Sequence, residues 1–313
     1  MDKLGQSTDT ILMIRPVRFR MNEQTAVNNY YQKVLDGLSS NEVQEKALKE
    51  FDDFVEKLRL KGVNVIVVND TSDPDTPDSI FPNNWISFHD DGRIGLYPMF
   101  AENRRLERRS DIIETLRADF NVSALVDFTE FEASDVFLEG TGSMILDRPN
   151  KIVYAAMSER TQEPPLNEFC EAFGYEAVKF IANQDVDGKR LPIYHTNVMM
   201  CVADEFAILC TDSIDVQDER KAVTDKLETT GKEIIAISED QKHRFAGNML
   251  QVRSEDGKIY LVMSGAAYQS LNEDQISRIE KYCPIIHSSL DTIEALGGGS
   301  ARCMMAEVFL PKK

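Results

Sequence analysis

Paired cysteines, long apolar runs, positive charge and proline-rich linkers are all scarce in this chain, and each shortage removes a class of protein. The five cysteines, at 170, 201, 210, 283 and 303, are odd in number and show no C-x-x-C spacing. That pattern suits free thiols in a reducing compartment and disfavours both a disulfide framework and a zinc site, so no metal or cofactor is expected. No window holds the roughly 18 unbroken apolar residues of a membrane span. The opening stretch Met1 to Thr10 is polar, with no signal-like pattern, so the expected location is cytoplasmic. Lysine and arginine number 35 against 53 aspartates and glutamates, a formal charge of −18. Such a balance argues against nucleic acid or an anionic membrane as partner.

Hydrophobic content of 42% and charged content of 28% are those of a chain that folds around its own core. Laying the strand-like runs over one another reveals a period. Asn84-Trp85-Ile86-Ser87-Phe88, Ser143-Met144-Ile145-Leu146, Asn197-Val198-Met199-Met200, Asn248-Met249-Leu250-Gln251-Val252 and Arg302-Cys303-Met304-Met305 each put a polar residue before a short buried-looking strand. From 84 to 143, 197, 248 and 302 the steps are 59, 54, 51 and 54 residues. Turn-forming Asp90-Asp91-Gly92, Asp147-Arg148-Pro149-Asn150 and Glu255-Asp256-Gly257 lead into second strands at 94–97, 152–155 and 259–263, as in hairpins. Helical spacing follows at 103–119, 166–173, 216–230 and 272–282, and in the N-terminal unit at 47–58, before Gly62 and a strand at 63–68. Each unit thus reads as strand, hairpin partner and helix.

A unit of this size cannot bury its own apolar face, so the units must pack together. Five of them are expected to close an α/β ring, a five-bladed β/α propeller with pseudo-fivefold repeats around a central channel. No Pro- or Ser-rich linker breaks the period, so residues 1–313 are expected to form a single domain; the alternative is a two-domain α/β protein with chance similarity.

The polar residue before each inner strand would converge on the axis, and three such places carry chemistry. Gly297-Gly298-Gly299 gives the backbone freedom that presents Cys303 as a nucleophile. His195, in Tyr194-His195-Thr196-Asn197, and Glu139, in Leu138-Glu139-Gly140-Thr141-Gly142, lie at corresponding points of two other units. Taken singly, each has a plainer reading: Cys303 as a small core residue, His195 as a hydrogen-bonded structural histidine, Glu139 as a solvated acid. Their coincidence favours catalysis. The remaining cysteines, and His89, His243 and His287, read as packing or surface residues, with His243 a candidate for the rim of the site.

Taken in order, these pieces resemble the guanidine-modifying enzymes, the pentein superfamily of arginine deiminases, dimethylarginine hydrolases and amidinotransferases. The resemblance rests on Ile14-Arg15-Pro16, Phe81-Pro82-Asn83-Asn84-Trp85, Leu138-Glu139-Gly140, Met157 to Thr161, His195-Thr196-Asn197 and Gly298 to Cys303, and its nearest branch looks like the citrulline ureidohydrolases. It implies covalent catalysis, with Cys303 adding to the central carbon of a guanidino or ureido group. His195 would pass protons to the leaving nitrogen and from the hydrolytic water, and Glu139 would accept hydrogen bonds from substrate nitrogens. Arg160, with Arg104 or Arg105, would hold the substrate α-carboxylate; for Arg104 and Arg105 a salt-bridged helix start is the alternative. Trp85 either walls the site or fills the core.

Two departures narrow the substrate. Arginine-using members typically carry acids where this chain has Asn84 and Asn197. A guanidinium offers only donors, whereas a ureido group also carries a carbonyl that an asparagine NH₂ can meet. The expected reaction is therefore citrulline to ornithine, ammonia and carbon dioxide, with an arginine deiminase or an amidinotransferase as alternatives on the same site. A free amino acid is the expected partner, bound by a monomer or a homodimer. The alternative of another class is a non-catalytic binding protein on the same ring fold, as in a ribosome-binding initiation factor.

Overall fold

The structure, a computed structural model, describes residues 5–33, 35 and 37–313; the first four residues of the polar opening stretch lie outside them. It is an α/β fold built from small mixed sheets. Strands β1 (Thr10–Arg15) and β2 (Asn64–Asn69) run parallel. The next sheet holds β3 (Ile86–Phe88), β4 (Arg93–Leu96) and β5 (Ala124–Asp127), and the third β6 (Ile145–Asp147), β7 (Ile152–Ala156) and β8 (Glu176–Phe180). A separate hairpin, β9 (Asn183–Val186) and β10 (Lys189–Pro192), precedes β11 (Met200–Val202), β12 (Phe206–Leu209) and β13 (Glu233–Ala236). The fifth sheet holds β14 (Leu250–Arg253), β15 (Ile259–Ser264) and β16 (Ile285–Ser288). Finally β17 (Ala306–Glu307) returns to pair antiparallel with β1, Ile11 opposite Glu307 and Leu12 opposite Ala306.

The same pattern recurs in each of the five three-stranded sheets among the described residues: a central strand pairs antiparallel with its inner neighbour and parallel with its outer one. The parallel partner is reached through a helix, as a parallel pair requires. The repeat seen in the sequence is thus real, but its unit holds a third strand that the sequence reading omitted in four units. Those outer strands are short and only partly buried, most exposed in Ala124–Asp127, so they lack the apolar signature of a buried strand.

Helices fall close to their expected places. Helix Ser40–Leu60 starts at a capping box between Ser39 and Glu42 and buries Val43, Ala47, Phe51, Phe54, Val55 and Leu58 along one face. Burying an aromatic such as Phe51 or Phe54 contributes about 1.5–3 kcal/mol. Both pack with Leu290 and Ile293 in one apolar cluster, fixing the segment that leads to Cys303. Helices Glu163–Phe173, Gln217–Thr229 and Glu273–Glu280 match expectation within a few residues. The stretch 103–119 is instead two helices, Glu102–Arg105 and Ser110–Asp119. Among the described residues no helix is long and apolar enough to cross a membrane.

Tight turns precede the inner strands: 3₁₀ turns at Pro82–Asn84 and Thr196–Val198, and a single helical turn at Gly140–Ser143. Threonine and serine side chains lock these turns together. Thr196 Oγ1 donates to the Ser143 carbonyl at 2.5 Å and accepts from the Ala156 N–H at 2.8 Å. The N-terminal segment adds a clasp, with Gln6 Nε2 donating to both Leu146 O and Val202 O at 2.8 and 2.9 Å.

Candidate active site

Cys303 is delivered by a chain of local constraints. The carboxylate of Glu50, on the long N-terminal helix, accepts from Thr292 N and Ile293 N and so caps helix Asp291–Gly297. That helix ends at Gly298 in the left-handed region, φ 62°. The glycines admit close neighbours: a Cβ on Gly297 would lie 2.7 Å from the Phe81 ring, and one on Gly298 2.5 Å from the Asn29 amide. Cys303 follows in a turn closed by its own N–H donating to Ser300 O at 3.0 Å, three residues before β17 rather than at the head of a strand. Its sulfur receives two carboxamide donors, Asn248 Nδ2 at 3.2 Å and Asn197 Nδ2 at 3.4 Å.

His195 stands across the same small cavity, which Phe81, Asn84, Arg104, Arg160, Tyr194 and Cys303 also line. His195 Nε2 lies 2.7 Å from Glu139 Oε2, and Glu139 Oε1 accepts from Phe100 N at 2.9 Å. Burial raises the Glu139 carboxyl, but the neighbouring Arg160 guanidinium and the bond from His195 outweigh it and bring it down to about 2. An ionised Glu139 can only accept, so Nε2 carries the imidazole proton and Nδ1 is left as the free base. Burial pulls His195 down to about 4 despite Glu139, so the ring is neutral near pH 7. Both Glu139 oxygens are thereby engaged by the protein. Glu139 Oε2 holds the His195 ring, and Glu139 itself is not among the residues that line the cavity.

The other predicted residues divide cleanly. Asn84 lines the cavity, and its Oδ1 accepts from Arg104 Nη1 at 2.9 Å, which leaves its buried Nδ2 without a partner among the described residues. Arg104 is held further by Glu107, 2.8 Å from its Nε, and by Phe81 O. Arg160 is buried between the rings of Phe100 and Tyr194, donates to Thr25 O at 2.9 Å and to Asn28 Oδ1, and has no partner for its Nε among the described residues. Arg105 turns away: its guanidinium donates to Met99 O at 3.1 Å and lies beside Glu132 and Phe137. Of the two expected alternatives on this short helix, Arg104 lines the cavity and Arg105 does not. Trp85 points into the apolar core with Ile86 and Phe88 and does not line the cavity.

Several site residues escaped the sequence reading. Asn248 was an anchor of the repeat, and that position was itself the signal for its role at the sulfur. Asp78 lines the cavity with an Oδ1 that has no partner among the described residues, while its Oδ2 accepts from Asn22 Nδ2 at 2.8 Å and Thr25 Oγ1 at 3.1 Å. Thr25 and Asn29 close the cavity from the N-terminal segment, and Tyr194 donates its hydroxyl to Gly298 O at 2.6 Å. Nothing in the residue pattern marked these three. The cavity itself, about 10 Å³, has the room of one water molecule. Among the described residues, no group of three or more His, Cys, Asp or Glu side chains is arranged to hold a metal ion.

A cysteine and a histidine thus meet on a buried, arginine-lined cavity, with a glutamate behind the histidine. The chain belongs to the N,N dimethylarginine dimethylhydrolase, eukaryotic, family, whose model matches residues 15–310. No curated protein shows a significant match. Among solved structures it is similar in fold to the N-terminal domain of ArgZ, an arginine dihydrolase from cyanobacteria, at 16% identity and TM-score 0.74 over 96% of this chain and 98% of that one. Unliganded AgrE aligns at 16% identity and TM-score 0.71, over 97% of this chain and 40% of that longer chain. A dimethylarginine dimethylaminohydrolase carrying an S-methyl-L-thiocitrulline adduct aligns at 14% identity and TM-score 0.62, over 95% and 98%.

Proposed function

We propose that the five sheets are blades of a single ring-shaped catalytic domain and that it hydrolyses the ureido group of a free amino acid, citrulline to ornithine, ammonia and carbon dioxide. One observation carries the choice of a ureido group. Arg104 can only donate, so the Asn84 oxygen must face it and the Asn84 NH₂ is turned to the side of Gly142 and His195 Nδ1. A donor fixed there suits a carbonyl oxygen. Arginine and its methylated forms offer that position only donors or methyl groups.

In this reading His195 Nδ1 takes the Cys303 thiol proton, and the sulfur electron pair forms a bond to the ureido carbon. The bond from that carbon to the ornithine nitrogen breaks, and the leaving nitrogen collects the proton from His195. A carbamoyl thioester remains. Water, deprotonated by His195, then displaces the sulfur, and the carbamic acid released falls apart to ammonia and carbon dioxide. Glu139 holds the imidazole in the required tautomer. Arg160, with its free Nε, is the group offered to the substrate α-carboxylate, and the unpartnered Asp78 Oδ1 is offered to the α-ammonium. Cys303, His195 and Glu139 are 4%, 3% and 0% exposed, and Thr25 and Asn29 of the N-terminal segment line the same cavity.

The test is product analysis of purified protein given citrulline, arginine or dimethylarginine without metal or nucleotide. Ornithine and ammonia from citrulline are expected. Citrulline produced from arginine or dimethylarginine, with citrulline itself untouched, would replace the reading with a deiminase or a dimethylarginine hydrolase. Activity only with an added acceptor amine would indicate an amidinotransferase, and none under any condition a binding protein.

A further inference from the structure

Asn248 is oriented by its neighbours without ambiguity. The Arg302 backbone N–H donates to its Oδ1 at 3.0 Å, and a backbone N–H has no other role to play. The Asn248 NH₂ is thereby committed to the other side, where one hydrogen meets Asn197 O at 3.0 Å and the second meets Cys303 Sγ at 3.2 Å. The Asn197 carboxamide brings a further donor to the same sulfur at 3.4 Å. Both asparagines are fully buried, where water does not compete for these bonds.

We propose that Asn248, together with Asn197, forms an amide cradle that holds the Cys303 sulfur as a thiolate and aims it into the cavity. The proposal rests on reading Cys303 as the nucleophile. Two N–H donors aimed at one sulfur stabilise the anion, which accepts strongly, over the thiol, which accepts weakly. The step is the heterolytic loss of the S–H proton: the electron pair stays on sulfur and the proton passes to His195 Nδ1, the base of the proposed reaction. Other ionisable groups face the same cavity, namely Asp78, Arg104, Arg160, Tyr194 and His195, with Glu139 behind His195. They are unchanged between variants that differ only in the cradle.

The test is the pH profile of iodoacetamide alkylation of Cys303 in the purified full chain, read by peptide mass spectrometry. Asn248→Asp keeps an acceptor for the Arg302 N–H but turns an acceptor toward the sulfur. Its alkylation rate at pH 7 is expected to fall about tenfold or more, with the profile displaced to higher pH. Since Asn248 also ties down Arg302 and Asn197, Asn197→Asp is the second variant, because its carboxamide donates only to the sulfur. A smaller displacement in the same direction is expected. Profiles of both variants that superimpose on the parent overturn the cradle. Alkylation needs no substrate, so the two readings separate: displaced profiles without turnover of any amino acid leave the cradle standing and remove the proposed reaction. Turnover with undisplaced profiles does the reverse.

Discussion

Replacing Asn84 by aspartate swaps one NH₂ for one oxygen and tests the substrate assignment directly. The aspartate keeps the acceptor for Arg104 Nη1, now 2.9 Å away, so the wall of the cavity stays in place. What changes is the buried Nδ2 position, which becomes an acceptor. Toward a ureido carbonyl, a donor is replaced by a repelling oxygen, a loss of about 2–3 kcal/mol or roughly 30–150-fold in kcat/KM. Toward a guanidinium, the new charge gains a hydrogen bond of about 1.5–3 kcal/mol. Part of that gain is lost, because Asp78 and Glu107 already share Arg104, and burial, against the pull of Arg104, has pushed Glu107 up to about 7. The expectation is a fall of about fiftyfold or more for citrulline and a rise of about tenfold for arginine, each measured by ornithine and citrulline quantification under substrate-limited conditions. If citrulline turnover survives in Asn84→Asp, or both substrates fall in equal proportion, Asn84 does not read the ureido oxygen and the specificity argument fails.

Gly142→Ala would place a methyl 2.3 Å from Asn84 Nδ2 and 2.9 Å from His195 Nδ1, and such a displacement of the base should reduce kcat by about a hundredfold in a protein whose circular dichroism is unchanged. Because burial holds His195 down at about 4, the acid limb of kcat/KM due to this base is expected near pH 4; a limb at the ordinary histidine value would contradict the buried geometry. Arg160→Ala should raise KM for citrulline far more than Arg105→Ala, whose side chain lies outside the cavity, and equal effects would refute the assignment. Burial raises the Glu294 carboxyl to about 7, so its contribution to stability is complete below about pH 4.5 and is lost as pH rises through 7. Glu294→Gln should therefore gain up to about 3 kcal/mol on the parent between pH 5 and pH 8, read from urea unfolding at each pH.

Much of the site was legible because it is built on a repeat. The polar residue before each inner strand occupies one structural position, so Asn84, Asn197 and Asn248 could be read from the period, with Cys303 beside the fifth anchor. Outer strands such as Glu176–Phe180 were hidden because a half-exposed edge shows neither alternation nor an apolar run. Arg104 and Arg105 could not be told apart: they are adjacent on a helix of four residues, too short for a periodic pattern to say which one faces inward. Asn84 and Trp85 show the opposite case: adjacent at the end of the Pro82–Asn84 turn, one faces the cavity and the other the core. Asp78, Thr25 and Asn29 come from segments outside the repeat and meet the site only through tertiary packing.

The pairing of β17 with β1 joins positions almost three hundred residues apart, and the turn bearing Cys303 hangs directly from that junction. During synthesis the imidazole and its carboxylate partner emerge and can pack long before the thiol does. The proposed nucleophile is therefore missing from any stretch of chain that stops short of residue 303, and its turn is tethered only once β17 has zipped onto β1.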